Sequence, residues 1–376
     1  MIEKPIRVLH IFGRMARGGA ETAIMNYYRY IDRGKVQFDF LTMVPGEHNY
    51  DAEIRKLGGN VFCINSPQRG HPIRHIKDLV SVMSHKGPFA AVHAHTLHHA
   101  GLVMLAARIA GIKKKICHSH NTSDVGANLI WRKTYFSIMK KLIKMYADQL
   151  LACGEDAGRY LFGKNVLKSG KVIILRNAID MGPYKSLELT KRDMFRHKLG
   201  ISQNTLVLGY VARFSYQKNH IFFVKLLKVI KSVREDVRLI LVGDGELRSY
   251  IERRFAENGL SRDVMFLGVR SDIAQLMSTF DVFILPSLYE GLPVVLIEAQ
   301  AAGTPCVVSS SVTKEADIGL GLIKFVDLSS DIMLWCEIIL EQSCLRRPSN
   351  EIILTTFRER GYDAEVAADK LLAIYC

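Results

Sequence analysis

Asp281-Val282-Phe283-Ile284-Leu285-Pro286-Ser287-Leu288-Tyr289-Glu290-Gly291-Leu292-Pro293-Val294-Val295-Leu296-Ile297-Glu298-Ala299 is the stretch on which the reading of the fold turns. Val282–Leu285 is an apolar, mostly β-branched or aromatic run that stops at a proline, as a buried strand does. A short loop holds Glu290 and Gly291, and Pro293 sits where a helix accepts proline, in its first turn. Strand, loop and helix in that order make half of a βαβ crossover. Glu298 is a solitary carboxylate in an apolar run, which points it at a site rather than at solvent. The N–H groups of Gly291 and Leu292 at the helix start suit a phosphate oxygen. Glu298 falls within reach of ribose hydroxyls, and Glu290 suits the hydroxyls of a sugar.

The same alternation runs outward in both directions. Ile6–Phe12, Phe38–Met43, Val61–Ile64, Ala91–Ala94, Lys115–His118 and Gln149–Ala152 read as strands of the first half. Leu206–Val211, Val237–Val242, Val264–Leu267, Val282–Leu285 and Pro305–Ser309 read as strands of the second. Helical patterns between them imply right-handed crossovers and mainly parallel sheets. The pattern stops and restarts over Asn177–Thr205, so two doubly wound α/β domains are expected, 1–180 and 181–357. In such sheets ligands gather beyond the C-terminal ends of the strands, and the unusual residues fall there.

After the first strand comes Gly13-Arg14-Met15-Ala16-Arg17-Gly18-Gly19-Ala20-Glu21. Gly18 and Gly19 before a helix let N–H groups approach an anion, although a structural turn explains them equally well. Glu21 either serves the site or complements the helix dipole. His93 and His95 share one face of their strand, as do His118 and His120, with His98 and His99 close behind; substrate contact and core packing are both open to them. They lack the carboxylate or helical spacing that catalytic zinc wants. Arg213 and Lys218 end a strand together, the first a fork and the second a point charge, a pair suited to a diphosphate. Gly243 and Gly245 allow a tight turn after the next strand.

Composition narrows the class. The 376 residues are 48% hydrophobic and 23% charged, a globular balance with no apolar run long enough to span a bilayer. The seven cysteines are scattered without metal spacing and read as buried thiols of a reducing compartment. The net charge of +14 sits entirely in the first half, where roughly 27 Lys and Arg oppose about 13 Asp and Glu. That half is expected to face something anionic. Ile130–Tyr146 places Trp131, Tyr135, Phe136, Met139, Leu142 and Ile143 at helical spacing among lysines, as in a helix lying on a membrane surface or one packed in a domain. No nucleic-acid module or aromatic platform accompanies the basic half, so nucleic acid is not an expected partner.

The Glu290-x7-Glu298 segment resembles the signature of the family 4 glycosyltransferases of GT-B fold, which retain anomeric configuration. Gly18–Glu21, Arg213 with Lys218, Arg176–Asp180 and Gly243–Glu246 follow the same family pattern in order, and the whole looks most like the EpsF-like polysaccharide enzymes. The resemblance implies two Rossmann-like domains facing a central cleft, with a last helix, about 358–376, packed back on the first domain. It implies a nucleotide-sugar donor, most readily a UDP-sugar, held by Arg213, Lys218, Asn177, Gly243, Gly291, Leu292 and Glu298. Glu290 and His120 would serve the reacting sugar, with His118 as the other assignment, and Gly18, Gly19 and Glu21 the acceptor or a phosphate. The acceptor would be a glycan or lipid-linked sugar of capsule, exopolysaccharide or O-antigen synthesis, met at the anionic inner face of the cell membrane. No metal or cofactor is expected. Ala212 and Ala178 stand where relatives carry glycine, which bears on which donor fits. An epimerase of the same architecture, or a binding protein without turnover, are the alternatives.

Overall fold

In the computed structural model, which describes residues 4–66, 71–121, 130–187 and 189–376, the apolar runs form two separate, wholly parallel sheets. The first contains β1 (Ile6–Ile11), β2 (Val36–Thr42), β3 (Val61–Cys63), β4 (Ala91–Ala94), β5 (Lys114–Ser119), β6 (Gln149–Ala152) and β7 (Val172–Ile174), in the order β3-β2-β1-β4-β5-β6-β7. The second contains β8 (Leu206–Val211), β9 (Val237–Val242), β10 (Val264–Phe266), β11 (Val282–Leu285), β12 (Cys306–Ser309) and β13 (Ile323–Val326), in the order β10-β9-β8-β11-β12-β13. Both repeat the doubly wound order, in which the direction of winding reverses between the first and fourth strands. Central strands covered by helices on both faces must be apolar throughout, and β2 and β11 are buried at every residue.

Two compact units result, residues 1–179 with 361–376, and residues 180–360. The helix Ala364–Tyr375 belongs to the first, where Ala364, Ala367, Ala368, Leu371 and Tyr375 complete the core around Val8, Ile24, Tyr27 and Phe38. Its alanines let it lie close to the helix Gly19–Tyr30. Lys114 Nζ donates to the carbonyls of Ile374 (2.6 Å) and Tyr375 (3.2 Å), a cation at the helix's negative end. The last helix does not run unbroken over the whole of the 358–376 that the resemblance implies. Gly361, at φ 76°, breaks it into Asn350–Glu359 and Ala364–Tyr375, and Asp363 caps the second piece by accepting from the Glu365 N–H (3.0 Å).

The helix Ile130–Tyr146 forms, but Met139 and Ile143 are buried and Phe136 stacks on His98, ring centroids 3.9 Å apart. Gly101 of the neighbouring helix lets it come so close that a side chain there would meet Met139 backbone at 2.7 Å. Met139 and Ile143 of the apolar stripe are therefore core, while Tyr135, Phe136 and Leu142 are half-buried; Lys133, Lys141, Lys144, Ile138 and Met145 are exposed, and the side chains of Ile130 and Trp131 lie outside the described residues. Of the cysteines, Cys117, Cys153, Cys306 and Cys336 are buried thiols, whereas Cys63, Cys344 and Cys376 are exposed.

The second unit also contains a charge cluster beneath its sheet. Asp281, just before β11, accepts from Arg192, from Arg196 (2.9 Å) and from the Val207 N–H (2.8 Å). Arg196 donates besides to the Thr279 carbonyl (2.6 Å). This ties the helix Leu189–Lys198 to the two central strands.

Candidate active site

Within the 180–360 unit the loops after β8, β9 and β11 meet at the reversal point of the sheet, and the candidates of that half lie on them or, for Glu298, on the helix that follows β11. After β8, Ala212 N–H donates to Val242 (2.9 Å) and Phe214 N–H to Asp244 (3.0 Å), so the Arg213 loop is stitched to the Gly243–Glu246 loop. Gly243 is at φ 130°, and a side chain there would run into the Ala212 carbonyl; one on Gly245 would sit 2.5 Å from the Phe214 carbonyl. Both glycines thus serve the packing of the two loops. Arg213 reaches Glu246 at 3.1 Å, with both side chains largely exposed.

Lys218 and Glu290 form an ion pair, with only 20% and 7% of their side chains exposed. Several bonds aim it. Tyr210 hydroxyl donates to the Lys218 carbonyl (2.8 Å), and Gln217 Nε2 donates to the Tyr289 carbonyl (2.8 Å) and to Glu290 (3.3 Å). Asn219, left-handed at φ 53°, donates to the Pro286 carbonyl (3.0 Å), and Leu288 N–H to Gln217 (2.9 Å). A non-glycine residue held at positive φ costs energy, and it closes the β8 loop onto the β11 loop. Gln217 and Asn219 were not singled out from the sequence; their spacing from Lys218 carries no signal until the two loops meet.

The helix Val294–Ala301 follows, with Pro293 at its N-cap. Among the described residues no acceptor takes the N–H groups of Gly291 or Leu292, which leaves them at the positive end of the helix. Glu298 is half-buried, and loss of water around its carboxyl pushes the pKa up to about 7. Tyr184, buried on the helix Gly182–Lys185, has its hydroxyl pKa raised first by burial and then by the charges of Glu298 and Asp180. Arg213, Lys218, Gly291, Leu292 and Glu290 are therefore carried by neighbouring loops of one unit, and Glu298 by the helix that follows the last of them.

The other unit gathers a different set. Gly18 is the N-cap of the helix Gly19–Tyr30, and the Glu21 carboxylate folds back over it, into the space a side chain on Gly18 would need. That carboxylate occupies the place at the helix start where an anion would sit; its pKa is raised by burial, with its own backbone N–H and Arg14 opposing. In and just after β1, β4 and β5, towards their C-terminal ends, stand five imidazoles, His10, His93, His95, His118 and His120. Asn177 is carried by this unit, where its Oδ1 lies 3.3 Å from His120 Nδ1. His93 and His118 are fully buried, so they do not line an open surface, while His120 keeps 8% exposure. Burial holds every ring well below the ordinary histidine pKa, to about 3 at His10 and about 4 at His120. Nitrogens of His10, His93 and His95, and of His95, His118 and His120, lie within 4.8 Å of one another, the groups from which a cation could take ligands. His10, His95 and His120 already engage both their nitrogens in hydrogen bonds. His10 was missed in the sequence, although an ionisable residue inside an apolar strand is the same signal that marks Glu298.

Comparison with known proteins adds to this geometry. Residues 17–182 match the family described as Glycosyltransferase Family 4, and residues 191–318 match Glycosyl transferases group 1. EpsF of Bacillus subtilis (strain 168), named as a glycosyltransferase, is 44% identical over 98% of this chain and 96% of its own length. The UDP-Gal:alpha-D-GlcNAc-diphosphoundecaprenol alpha-1,3-galactosyltransferase of Escherichia coli is 29% identical over 62% of each chain. Among solved structures, Anabaena Alr3699/HepE in complex with UDP superimposes with a TM-score of 0.70 at 19% identity, covering 98% of this chain and 94% of that one.

Proposed function

Since this chain belongs to the family 4, group 1 glycosyltransferases of GT-B fold, we propose that it transfers a sugar from a UDP-sugar to a lipid-linked glycan in the synthesis of a surface polysaccharide. The observation that carries the reading is the Lys218–Glu290 pair beside the unengaged N–H groups of Gly291 and Leu292, with Glu298 farther down the same helix. The cations Arg213 and Lys218 and the two N–H groups take the diphosphate; Glu298 accepts from the ribose, and Glu290 from the sugar. A uridine diphosphate is favoured by the complex of the Anabaena structure, and a diphosphoprenol-linked acceptor by the name of the Escherichia coli relative.

Bond cleavage puts charge on the departing β-phosphate, where Lys218, Arg213 and the helix start stabilise it without a metal ion. In this reading the acceptor hydroxyl attacks from the face the diphosphate leaves, a phosphate oxygen takes its proton, and configuration is retained. His120 borders the reacting sugar and Gly18–Glu21 the acceptor. Titration with UDP, GDP and ADP in EDTA tests the donor half-site: UDP binds, and Glu298→Ala and Arg213→Ala each weaken it. No binding of any nucleotide, or binding that both variants leave intact, would overturn the assignment.

The pH dependence of the same titration has a definite sign. The Glu298 carboxyl, ordinarily at 4.5, titrates at about 7 in the free protein, and accepting ribose hydroxyls favours its charged form. UDP binding therefore releases a proton, and affinity falls by up to about tenfold per pH unit as pH drops below 7. Without nucleotide the raised pKa works the other way on folding, so this group's contribution is lost as pH rises from 4.5 to about 7.

The exposed Lys133, Lys141 and Lys144, with Ile138 and Met145 beside them, and the basic excess of the first half support peripheral contact with the inner membrane face. No helix among the described residues is long and apolar enough to cross a membrane. Flotation with vesicles containing anionic lipid should carry the protein upward at low salt and release it at high salt; absence of binding at low salt would refute the contact.

A further inference from the structure

The five histidines, four buried and His95 half-buried, are not a loose cluster. Four of them, with one tyrosine and one asparagine, form a single file of hydrogen bonds. His120 Nδ1 meets Asn177 Oδ1 (3.3 Å), and His120 Nε2 meets His95 Nδ1 (2.9 Å). His95 Nε2 meets His10 Nδ1 (3.1 Å), His10 Nε2 meets the Tyr375 hydroxyl (3.2 Å), and that hydroxyl meets His93 Nδ1 (2.7 Å). The file ends at His93 Nε2, which is buried and has no partner. His118 lies against it without joining it, ring centroid 4.0 Å from that of His120, and neither of its nitrogens finds a partner.

Burial holds these rings neutral, so each carries one N–H and one lone pair. A file of such rings has only two consistent states. With Asn177 Oδ1 as acceptor, His120 donates through Nδ1, His95 Nδ1 donates to His120, His10 Nδ1 to His95, Tyr375 hydroxyl to His10, and His93 Nδ1 to Tyr375. Every ring is then the Nδ1–H tautomer, and the unpartnered His93 Nε2 is a bare lone pair. With the Asn177 amide reversed, every ring becomes Nε2–H and an N–H is stranded at His93 instead. A buried donor without an acceptor is the rarer and costlier orphan, and Asn177 presents its oxygen. Both ends of the file select the same state.

We propose that Asn177 and Tyr375 are positioning residues that clamp the two ends of this file and hold His120 as the Nδ1–H tautomer, making it a hydrogen-bond donor toward the reacting sugar and not a base. The proposal rests on the reading that His120 borders that sugar. His120 Nε2 is occupied by His95, so it cannot take a proton from the acceptor. The Asn177 link is the longest between the side-chain partners of the file, and His120 retains some exposure; a sugar or phosphate oxygen that replaces Asn177 Oδ1 receives the same Nδ1–H. Tyr375, near the end of the last helix, thereby bears on a ring three hydrogen bonds away.

Long-range 1H–15N spectra of the histidine-labelled protein read the tautomers directly, each ring being assigned from its own His→Gln variant. His10, His93, His95 and His120 are expected to be uniformly Nδ1–H. Asn177→Asp, which keeps an oxygen toward His120, preserves the pattern, whereas Asn177→Ala and the near-isosteric Tyr375→Phe lose its uniformity. A wild-type spectrum with Nε2–H at His95 or His120 overturns the proposal, as does an unchanged pattern in both Asn177→Ala and Tyr375→Phe. A saturating UDP-sugar then separates this inference from the reading beneath it. If the tautomers are as stated but the His120 signals do not move, the file stands and the placement of His120 beside the sugar falls.

Discussion

Lys218→Ala lowers transfer at saturating donor by about 10²–10³-fold, the range seen when one group that stabilises a developing oxyanion is removed. The expectation follows from where the cation sits. Lys218 is held by a loop locked through Tyr210 and Asn219, so its charge needs no rearrangement to meet the departing phosphate. Its pairing with Glu290 keeps both charges satisfied while the site is empty, and incoming donor exchanges one set of partners for another. Removing it also leaves a carboxylate only 7% exposed without its cation. Glu290→Gln should restore some of the donor affinity lost in Lys218→Ala, because it removes that orphaned charge, but should not restore turnover. UDP release measured over a panel of UDP-sugars with a diphosphoprenol-linked acceptor gives the comparison. A Lys218→Ala enzyme within about tenfold of wild type would place the phosphate elsewhere.

Asp281→Ala destabilises the 180–360 unit by about 3–5 kcal/mol, the usual cost of breaking a buried ion pair from one side. Arg192 and Arg196 are 18% and 5% exposed and both point at this carboxylate. Without it the two guanidinium groups confront each other, and the Val207 N–H loses its acceptor as well. The loss should show as a lower denaturant midpoint followed through Trp335, which is buried in the same unit. A shift worth less than about 1 kcal/mol would mean that water reaches the arginines and screens them.

The central strands were legible because both of their faces are covered. Ala91–Ala94, Gln149–Ala152, Leu206–Val211, Val237–Val242 and Val282–Leu285 coincide with their apolar runs to the residue. The edge strands β7 and β13 escaped the reading: each is short and only partly buried, and Lys324 interrupts the second. The Glu290–Glu298 segment was legible because its chemistry is local, one strand end running into one helix. Its supports were not, since Gln217 and Asn219 act across 73 and 67 residues of chain. The histidine file is more remote still, joining His93 to Tyr375 across 282 positions and His10 to Tyr375 across 365. Pair spacings of that length carry no periodicity, so only the folded chain reveals that Asn177 meets His120.

The helix Ala364–Tyr375 gives the two units opposite histories during synthesis. The first unit begins to leave the ribosome first, yet its core lacks five side chains until residues 180–360 have been made. At about 5–20 residues per second that delay is roughly 10–35 s. Throughout it the helix Gly19–Tyr30 has no cover over Ala23, Ile24 and Tyr27, and the histidine file has no tyrosine at its far end. The second unit, begun later, has all its own residues sooner. Order of manufacture and order of completion are thus reversed, and the nascent chain carries an unfinished apolar face that a chaperone can recognise until its last turns emerge.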